Sequence, residues 1–200
     1  MGKLDRSFIY KKFKRTLTRA LGREQADVIW AEANAELALL LRQYGAVSAD
    51  ERMMVLPLHA LYAAMKQHGI TNALDLLKAY GEQTGAELSA MIRRITAIPG
   101  LPHLLWRHMP ALMRMTSSPK KGYQRRIVSE TSELVGVDIL VCPLHELTKR
   151  LGVPEIAPII CLIDKGQMTG FRRIDYTRTM ALGDGDAYCD YRLRYNKDKP

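Results

Sequence analysis

The sequence predicts an α+β protein in which an N-terminal helical half packs on a C-terminal antiparallel sheet of about four strands. Before residue 96, apolar side chains recur at helical spacing, which is typical of helices that bury one face. After Gly122, short runs rich in β-branched residues replace that pattern, and such runs favour strands. We therefore expect a helical region at residues 1–120 and an α+β region at residues 121–200, within one compact domain.

The first predicted helix is basic and amphipathic, and it stops at Gly22. Its apolar stripe consists of Ile9, Phe13, Leu17 and Leu21. Such a stripe packs on its own domain or, in a basic helix, makes a weak contact with a membrane surface.

Further helical segments are expected at residues 24–44, 50–68, 71–80 and 87–95. Thr71 is predicted to cap the fourth helix of the chain, and Pro57 to kink or divide the third. Residues 97–119 contain several prolines, so they are expected to form either a lid or a short helix that closes the core.

Strands are predicted at residues 123–129, 134–141, 171–180 and 188–195. The last two are expected to form a hairpin, because Gly183-Asp184-Gly185-Asp186 supplies residues that tolerate a turn. Two short helices, at residues 145–150 and 154–164, are expected on the crossover between the strand pairs.

Composition narrows the class of protein. No stretch reaches the roughly 20 apolar residues that span a bilayer, and no secretory signal opens the chain, so a cytoplasmic protein is expected. The net charge is +9, but no run of Lys and Arg exceeds two residues and no zinc-finger or RNP-like motif is present. We therefore expect no nucleic-acid partner, while a homodimer stays open.

The three cysteines are predicted to be reduced, because their spacing matches neither a disulfide framework nor a metal motif. Cys142 precedes Pro143 at the start of a predicted helix, where the helix dipole favours a thiolate. His145 can share a helix face with Cys142 and act as a base or as an ion-pair partner. The alternative is a buried Cys142 beside a partly exposed histidine.

Cys161 and Asp164 lie three residues apart on another predicted helix, among apolar residues. A carboxylate in such surroundings finds a hydrogen-bond partner or has its pKa raised, which suits general acid/base catalysis. The alternative is an aspartate at a helix end that reaches water.

In the last hairpin, Cys189 is predicted to share a face with Tyr191, while Asp190 pairs with Arg192 or Arg194 on the other face. On the preceding strand, Arg178 lies in an apolar row with three other residues, namely Ile174, Tyr176 and Met180. A buried arginine needs an anion, which is either a carboxylate of the protein or one of the substrate.

The cysteines, His145 and Asp164 are the residue types that bind zinc or iron, but their spacing does not support a metal site. We therefore expect no metal and no cofactor. The candidate pocket lies between the sheet and the helical half, and we expect Cys142, Cys161, Cys189 and Arg178 to line it.

Several short blocks in the second half of the chain resemble the L-2-amino-thiazoline-4-carboxylate hydrolase family. The blocks are Cys142-Pro143, then Leu151-Gly152-Val153-Pro154-Glu155 leading to Cys161-Leu162-Ile163-Asp164, and then residues 178–184 leading to Cys189-Asp190-Tyr191. Residues 58–80 in the helical half are similar as well.

The resemblance implies a hydrolase that opens a small cyclic C–N or C–S substrate bearing a carboxylate. It implies Cys161 or Cys142 as the nucleophile and Asp164 or His145 as the acid/base. Arg178 would anchor the carboxylate, with Cys189 and Tyr176 in the same pocket. The competing hypothesis is a non-catalytic domain that binds a small molecule, since the family's hairpin resembles that of small-molecule sensors.

Overall fold

A computed structural model provides the structure of the chain, and it describes residues 2–199. Five helices precede the sheet: α1 (Phe13–Leu21), α2 (Arg23–Gln43), α3 (Ala49–Gln67), α4 (Ala73–Ile95) and α5 (Leu101–Thr116). The strands are β1 (Gln124–Glu130), β2 (Leu134–Val141), β3 (Ile174–Thr177) and β4 (Cys189–Tyr195). Between β2 and β3 lie α6 (Pro143–Arg150) and α7 (Ala157–Thr169). The predicted α+β class is confirmed.

The four strands form one antiparallel sheet in the order β1-β2-β4-β3. The chain leaves β2 in the middle of the sheet, passes through α6 and α7, and returns to add β3 at the edge. The predicted hairpin of the last two strands is confirmed, although β3 is shorter than expected. The connection between them contains a short 3₁₀ turn, Leu182–Asp184, followed by Gly185 at a φ of 94°.

Three helix boundaries differ from the predictions. Pro57 lies inside α3 without dividing it, and the helix begins with a capping box in which Ser48 and Glu51 bond each other's backbone N–H. Thr71 is not the cap of α4, which begins at Ala73. Helix α4 is continuous through residues 81–86, a segment that the predicted helices left out. Its glycines, Gly81 and Gly85, pack closely on α7.

Within residues 97–119 the structure has the helix α5 (Leu101–Thr116), which packs on the core as the second alternative predicted but is longer than the short helix expected. Pro102 is in its first turn, where the missing N–H costs nothing, and Pro110 is tolerated in its interior. The helix buries Trp106, Met109 and Met113 against the core side of the sheet.

Two hydrophobic clusters hold the molecule together. The larger one joins α1–α4 with parts of α6 and α7, and it contains Ile9, Phe13 and Leu17 of the N-terminal segment. The apolar stripe of α1 therefore packs on the protein itself, which removes the surface that a membrane contact would use. The smaller cluster lies between the sheet, α5 and α7. Among the helices of residues 2–199, none has the length and hydrophobicity needed to span a bilayer.

The outer face of the sheet carries a buried carboxylate between two arginines. Asp138 on β2 is 1% exposed and accepts hydrogen bonds from Arg126, at 2.6 Å, and Arg192, at 2.8 Å. Because Arg192 is engaged there, it does not pair with Asp190 as predicted. Asp190 instead accepts hydrogen bonds from the backbone of Thr179 and Met180.

Helices α4 and α7 cross at glycines, and this crossing fixes the position of α7. A Cβ atom on Gly166 would lie 2.5 Å from the carbonyl carbon of Gly85, and one on Gly170 would lie 2.5 Å from the carbonyl oxygen of Ser89. Real Cβ atoms do not approach backbone atoms so closely, so only glycine lets the two helix backbones meet here.

We predict that Gly166→Ala destabilises the protein. Overpacking costs about 1–3 kcal/mol or more, which exceeds the roughly 1 kcal/mol that alanine gains over glycine inside a helix. The free energy of unfolding in urea measures the effect. Gly45→Ala is the matched control, because its Cβ would meet its nearest neighbour at an ordinary 3.4 Å. Equal stabilities of the two variants would contradict the proposed role of the crossing.

Candidate functional site

The candidate site lies where α7 meets the β3–β4 connection and the first residues of β4. The crossing with α4 places α7, which carries Cys161 and Asp164, beside the sheet. Arg178 directly follows β3, and Cys189 and Tyr191 belong to β4. Residues far apart in the sequence therefore meet at one end of the sheet.

Asp164, Arg178 and Tyr191 form a closed hydrogen-bond network. One oxygen of Asp164, Oδ2, accepts from Arg178 at 3.0 Å and from the Tyr191 hydroxyl at 2.7 Å. Arg178 also donates to the Tyr191 hydroxyl at 3.1 Å and to the carbonyl of Cys161 at 2.9 Å. The guanidinium lies over the Tyr191 ring, 5.5 Å from its centroid. The anion that a buried Arg178 requires is thus supplied by the protein.

Asp164 combines a raised pKa with one free oxygen. Burial raises the pKa of its carboxyl group, while the hydrogen bonds from Tyr191 and Arg178 and the charge of Arg178 oppose the shift. Its side chain is still 38% exposed, whereas that of Arg178 is 5% exposed. Since both bonds go to Oδ2, the other oxygen, Oδ1, has no hydrogen-bond partner within residues 2–199. This oxygen is available to a water molecule or a ligand.

Cys161 and Cys189 lie in the same neighbourhood as protonated thiols. Burial raises the pKa of Cys161 to about 12 even though the charge of Arg178 lowers it. Burial also raises the pKa of Cys189, which accepts a hydrogen bond from the backbone N–H of Leu182 at 3.3 Å. Gly183 packs directly on Cys161, because a Cβ there would lie 2.8 Å from the sulfur.

Cys142 is at the start of α6 as predicted, but its expected thiolate is not favoured. The backbone N–H groups of His145 and Leu144 lower the pKa of Cys142, as the helix dipole requires, yet burial outweighs them and raises the pKa to about 11. Within residues 2–199, no hydrogen bond joins the ring of His145 to this thiol. The pKa of His145 is lowered by burial and by Lys149, and Nδ1 is buried without a hydrogen-bond partner within residues 2–199.

Tyr176 completes the polar group on the sheet. Its ring contacts that of Tyr191 at a centroid distance of 5.8 Å, and burial raises the pKa of its hydroxyl. The hydroxyl is buried without a hydrogen-bond partner in the described part of the chain. A buried hydroxyl of this kind is available to a ligand or a water molecule.

A small cleft of about 120 Å³ opens between α7 and the β3–β4 connection. Cys161 and Arg178 line it, as expected, whereas Cys142 and Cys189 do not. Asp164 does not line the cleft but is bonded to Arg178, which does. Typical pockets for drug-sized ligands measure roughly 300–1,000 Å³, so this cleft is suited to a single small ring.

Lys165 and Tyr191 are the site residues for which the sequence interpretation assigned no role. Lys165 lines the cleft one helical turn after Cys161, is exposed, and makes no ion pair within residues 2–199. Its spacing of four from Cys161 was a signal that could have identified it. For Tyr191, the sequence indicated only which face of the strand its side chain occupies. Its hydrogen bond to Asp164 depends on where the β2–β3 connection places α7.

The residues of the site do not form a metal centre. Across residues 2–199, no group of three or more His, Cys, Asp and Glu side chains is arranged to hold a metal ion. These residues offer the carboxyl group of Asp164, a second carboxyl group from Asp184 at the cleft, three protonated thiols and two cations.

Comparisons with solved structures give only distant likenesses. An unliganded Fe(II) H-NOX protein from K. algicida is 14% identical, with a TM-score of 0.40, over 99% of this chain and 98% of that one. An Fe(II)NO H-NOX protein from S. oneidensis is 11% identical, with a TM-score of 0.40, over 94% and 98% of the two chains. Likeness at this level carries no conclusion about a ligand of this chain.

Sequence comparison is more informative. Among curated proteins, no relative matches the chain. The family model described as L-2-amino-thiazoline-4-carboxylic acid hydrolase matches residues 50–193, which cover nearly all of the segment from α3 to β4 and contain every residue of the site. The resemblance of the cysteine-containing blocks is thereby confirmed, and the chain belongs to the L-2-amino-thiazoline-4-carboxylic acid hydrolase family.

Proposed function

We propose that the chain hydrolyses a small ring that contains C–N and C–S bonds and bears a carboxylate. The observation that carries this proposal is the partly exposed Asp164, held by Arg178 and Tyr191 beside a cleft of single-ring size, in a member of this hydrolase family. L-2-amino-thiazoline-4-carboxylate is the substrate class that the family indicates.

In the proposed reaction, a water molecule attacks the carbon between nitrogen and sulfur. Asp164 takes the proton of this water through Oδ1, the oxygen that has no other partner. Attack forms the new C–O bond and converts the ring C=N bond to a single bond, and Asp164 passes the proton to the ring nitrogen. Collapse of the tetrahedral intermediate then forms C=O and breaks the ring C–S bond, and the hydroxyl proton passes through Asp164 to the leaving sulfur. The product is an open-chain carbamoyl thiol, and Asp164 returns to its carboxylate form.

Arg178 and Lys165 are assigned separate roles. Within residues 2–199, the hydrogen bonds of the Arg178 side chain go to Asp164, Tyr191 and Cys161, so we assign Arg178 to the orientation of Asp164. Lys165 lines the cleft and makes no ion pair within residues 2–199, and we assign it to the substrate carboxylate. This assignment moves the anchoring role away from Arg178, where the sequence had suggested it.

Water is favoured over a thiol as the nucleophile because the thiols are protonated. With a pKa of about 12 for Cys161, only about one molecule in 10⁵ carries a thiolate at pH 7. Cys161 then serves as a wall of the cleft. Cys142 and His145 become the candidate nucleophile and base if water is shown not to be the nucleophile.

A second candidate function is the binding of a small molecule without turnover. The specific observation in its favour is that the pKa of each of the three thiols is raised, which is typical of inert, buried cysteines. Calorimetric binding of the thiazoline carboxylate without release of a free thiol would support this function over hydrolysis.

Asp164→Asn is expected to reduce kcat for L-2-amino-thiazoline-4-carboxylate by at least roughly 100-fold, because the amide cannot take the proton of the water. Release of the product thiol, followed with a thiol-reactive dye, measures the rate. Asp27→Asn, on the surface of α2, is the control and should keep the rate of the unmodified protein. Full activity of Asp164→Asn would contradict the proposed role of the carboxylate.

Tyr191→Phe is expected to shift the acidic limb of kcat/KM to higher pH. The Tyr191 hydroxyl stabilises the ionised carboxyl of Asp164 and lowers its pKa, so its removal raises that pKa further. Activity that requires the carboxylate is then lost at a higher pH as the solution is acidified. Tyr176→Phe is the matched control, because the hydroxyl of Tyr176 makes no hydrogen bond in the described structure. If the acidic limb of kcat/KM is unchanged in Tyr191→Phe, the ionisation of Asp164 does not set that limb.

Cys161→Ser is expected to keep turnover within about tenfold of the unmodified protein, since water rather than the thiol attacks. In the unmodified protein, iodoacetamide should label Cys161 only at a pH well above that needed for the unfolded chain. Cys189→Ser controls for changes in packing. A loss of about a thousandfold in Cys161→Ser alone would identify the thiol as the nucleophile and overturn the water mechanism.

A further inference from the structure

A second cleft, of about 600 Å³, lies at the opposite end of the sheet. It is bordered by the first half of α5, the β1–β2 turn and the end of β4. Cys189 begins β4 at the candidate active site, whereas Tyr195 ends the strand at this second cleft. Six residue steps along a strand correspond to roughly 20 Å, so the two clefts are separate.

Aromatic rings form one wall of this cleft. Trp106 stacks on Tyr195 with a centroid distance of 5.7 Å and an interplanar angle of 27°, and His103 meets Tyr195 edge-on at 6.0 Å. The indole N–H of Trp106 donates to the carbonyl of Ser132 at 2.8 Å, which fixes the ring. Trp106 itself is only 8% exposed, so the half-buried ring of Tyr195 that stacks on it carries the flat surface open to a planar ligand.

Three cations surround the aromatic wall without protein anions to neutralise them. Arg107, Arg173 and Lys197 line the cleft, and no ion pair involves their side chains within residues 2–199. None of the residues that line the cleft is acidic. This contrasts with Arg126, Arg178 and Arg192, each of which pairs with an aspartate. The second cleft therefore favours an anion.

Arg173 is also held in a backbone conformation that arginine rarely adopts. Its φ is 56°, and among residues 2–199 it alone combines a positive φ with a residue type other than glycine. The turn is fixed by the backbone N–H of Asn196, which donates to the Arg173 carbonyl at 2.8 Å. Glycine would fit this position with less strain, and such strain is concentrated at functional positions.

From these contacts we propose that the second cleft binds a small ligand with a planar ring and an anionic group. The ring stacks on Tyr195 at the edge of Trp106, and the anion is held by Arg107, Arg173 and Lys197. The anion is a phosphate or a carboxylate, since a guanidinium fork matches both. This inference does not depend on the proposed hydrolase activity, because none of its residues borders the first cleft.

Binding is tested with AMP as the phosphate probe and nicotinate as the carboxylate probe. Adenosine and nicotinamide lack the anion, and ribose 5-phosphate lacks the aromatic ring. We expect one of the two anionic ring probes to bind with a Kd near or below about 1 mM, and its partial analogues to bind at least about tenfold more weakly. The probe that binds identifies the anion. Failure of both at ten times that concentration would overturn the proposal.

Tryptophan fluorescence locates the binding. The chain has two tryptophans, and Trp30 is buried and bonded to Asp5 in the helical half. Quenching by the bound probe should therefore persist in Trp30→Phe and disappear in Trp106→Phe. Quenching that persists in Trp106→Phe would place the ligand elsewhere and overturn the assignment.

Arg173→Gly is the decisive variant, because it removes a ligand contact while relieving strain. We expect binding at least about tenfold weaker, the loss expected for a charge-assisted hydrogen bond, with Tm unchanged or raised. Arg107→Ala should weaken binding similarly. Arg19→Ala, on the exposed side of α1, is the charge-matched control and should not change the Kd.

Two results would contradict the proposed ligand. If both cleft variants keep the Kd within about twofold of the control, the cations do not bind the anion. If a short single-stranded oligonucleotide binds more tightly than either small probe and protects Trp106, the occupant is nucleic acid and the small-ligand proposal is wrong.

Discussion

The position of the candidate site depends on the close crossing of α4 and α7. Gly85 and Gly166 bring the two backbones together at a distance that no larger residue allows. The crossing decides where α7 lies, and α7 supplies Cys161, Asp164 and Lys165. A shift of α7 by one side-chain layer would separate Asp164 from Arg178 and Tyr191, whose positions are set by the sheet. The packing of α4 on α7 therefore determines the geometry of the site, although no atom of the glycines belongs to the site.

Within the site, the hydrogen-bond network decides what chemistry the carboxyl group can perform. Burial raises the pKa of Asp164, while Arg178 and Tyr191 favour its ionised form, so its pKa reflects two opposed effects. Because both donors use the same oxygen, the other oxygen remains open to solvent. An oriented carboxyl group with a raised pKa and one free oxygen is the arrangement that general acid/base catalysis requires. Asp138 shows the contrast, since two arginines engage both of its oxygens and it is 1% exposed.

The thiols show how burial can override a local electrostatic effect. Cys142 receives hydrogen bonds from the first turn of α6, and these lower its pKa as the helix dipole predicts. The surrounding apolar residues nevertheless raise the pKa to about 11, because desolvation disfavours the thiolate by more than two N–H groups favour it. A dipole argument from sequence is therefore incomplete until the burial of the sulfur is known, and the same holds for Cys161 beside Arg178.

By itself, the sequence determined the α+β class, the strands of the sheet, the last hairpin and the family. Local signals carry these features, namely periodicity, turn residues and the short blocks around Cys142, Cys161 and Cys189. It also indicated Asp164 and Arg178 as buried charges that need partners. Only the tertiary structure decided that they partner each other and Tyr191, since that pairing depends on a crossover through α7. It also decided that α4 and α5 are long helices, because packing outweighs the preferences of Gly81, Gly85 and Pro110. Contacts between distant segments and the burial of each polar atom are properties of the folded chain, and no local pattern encodes them.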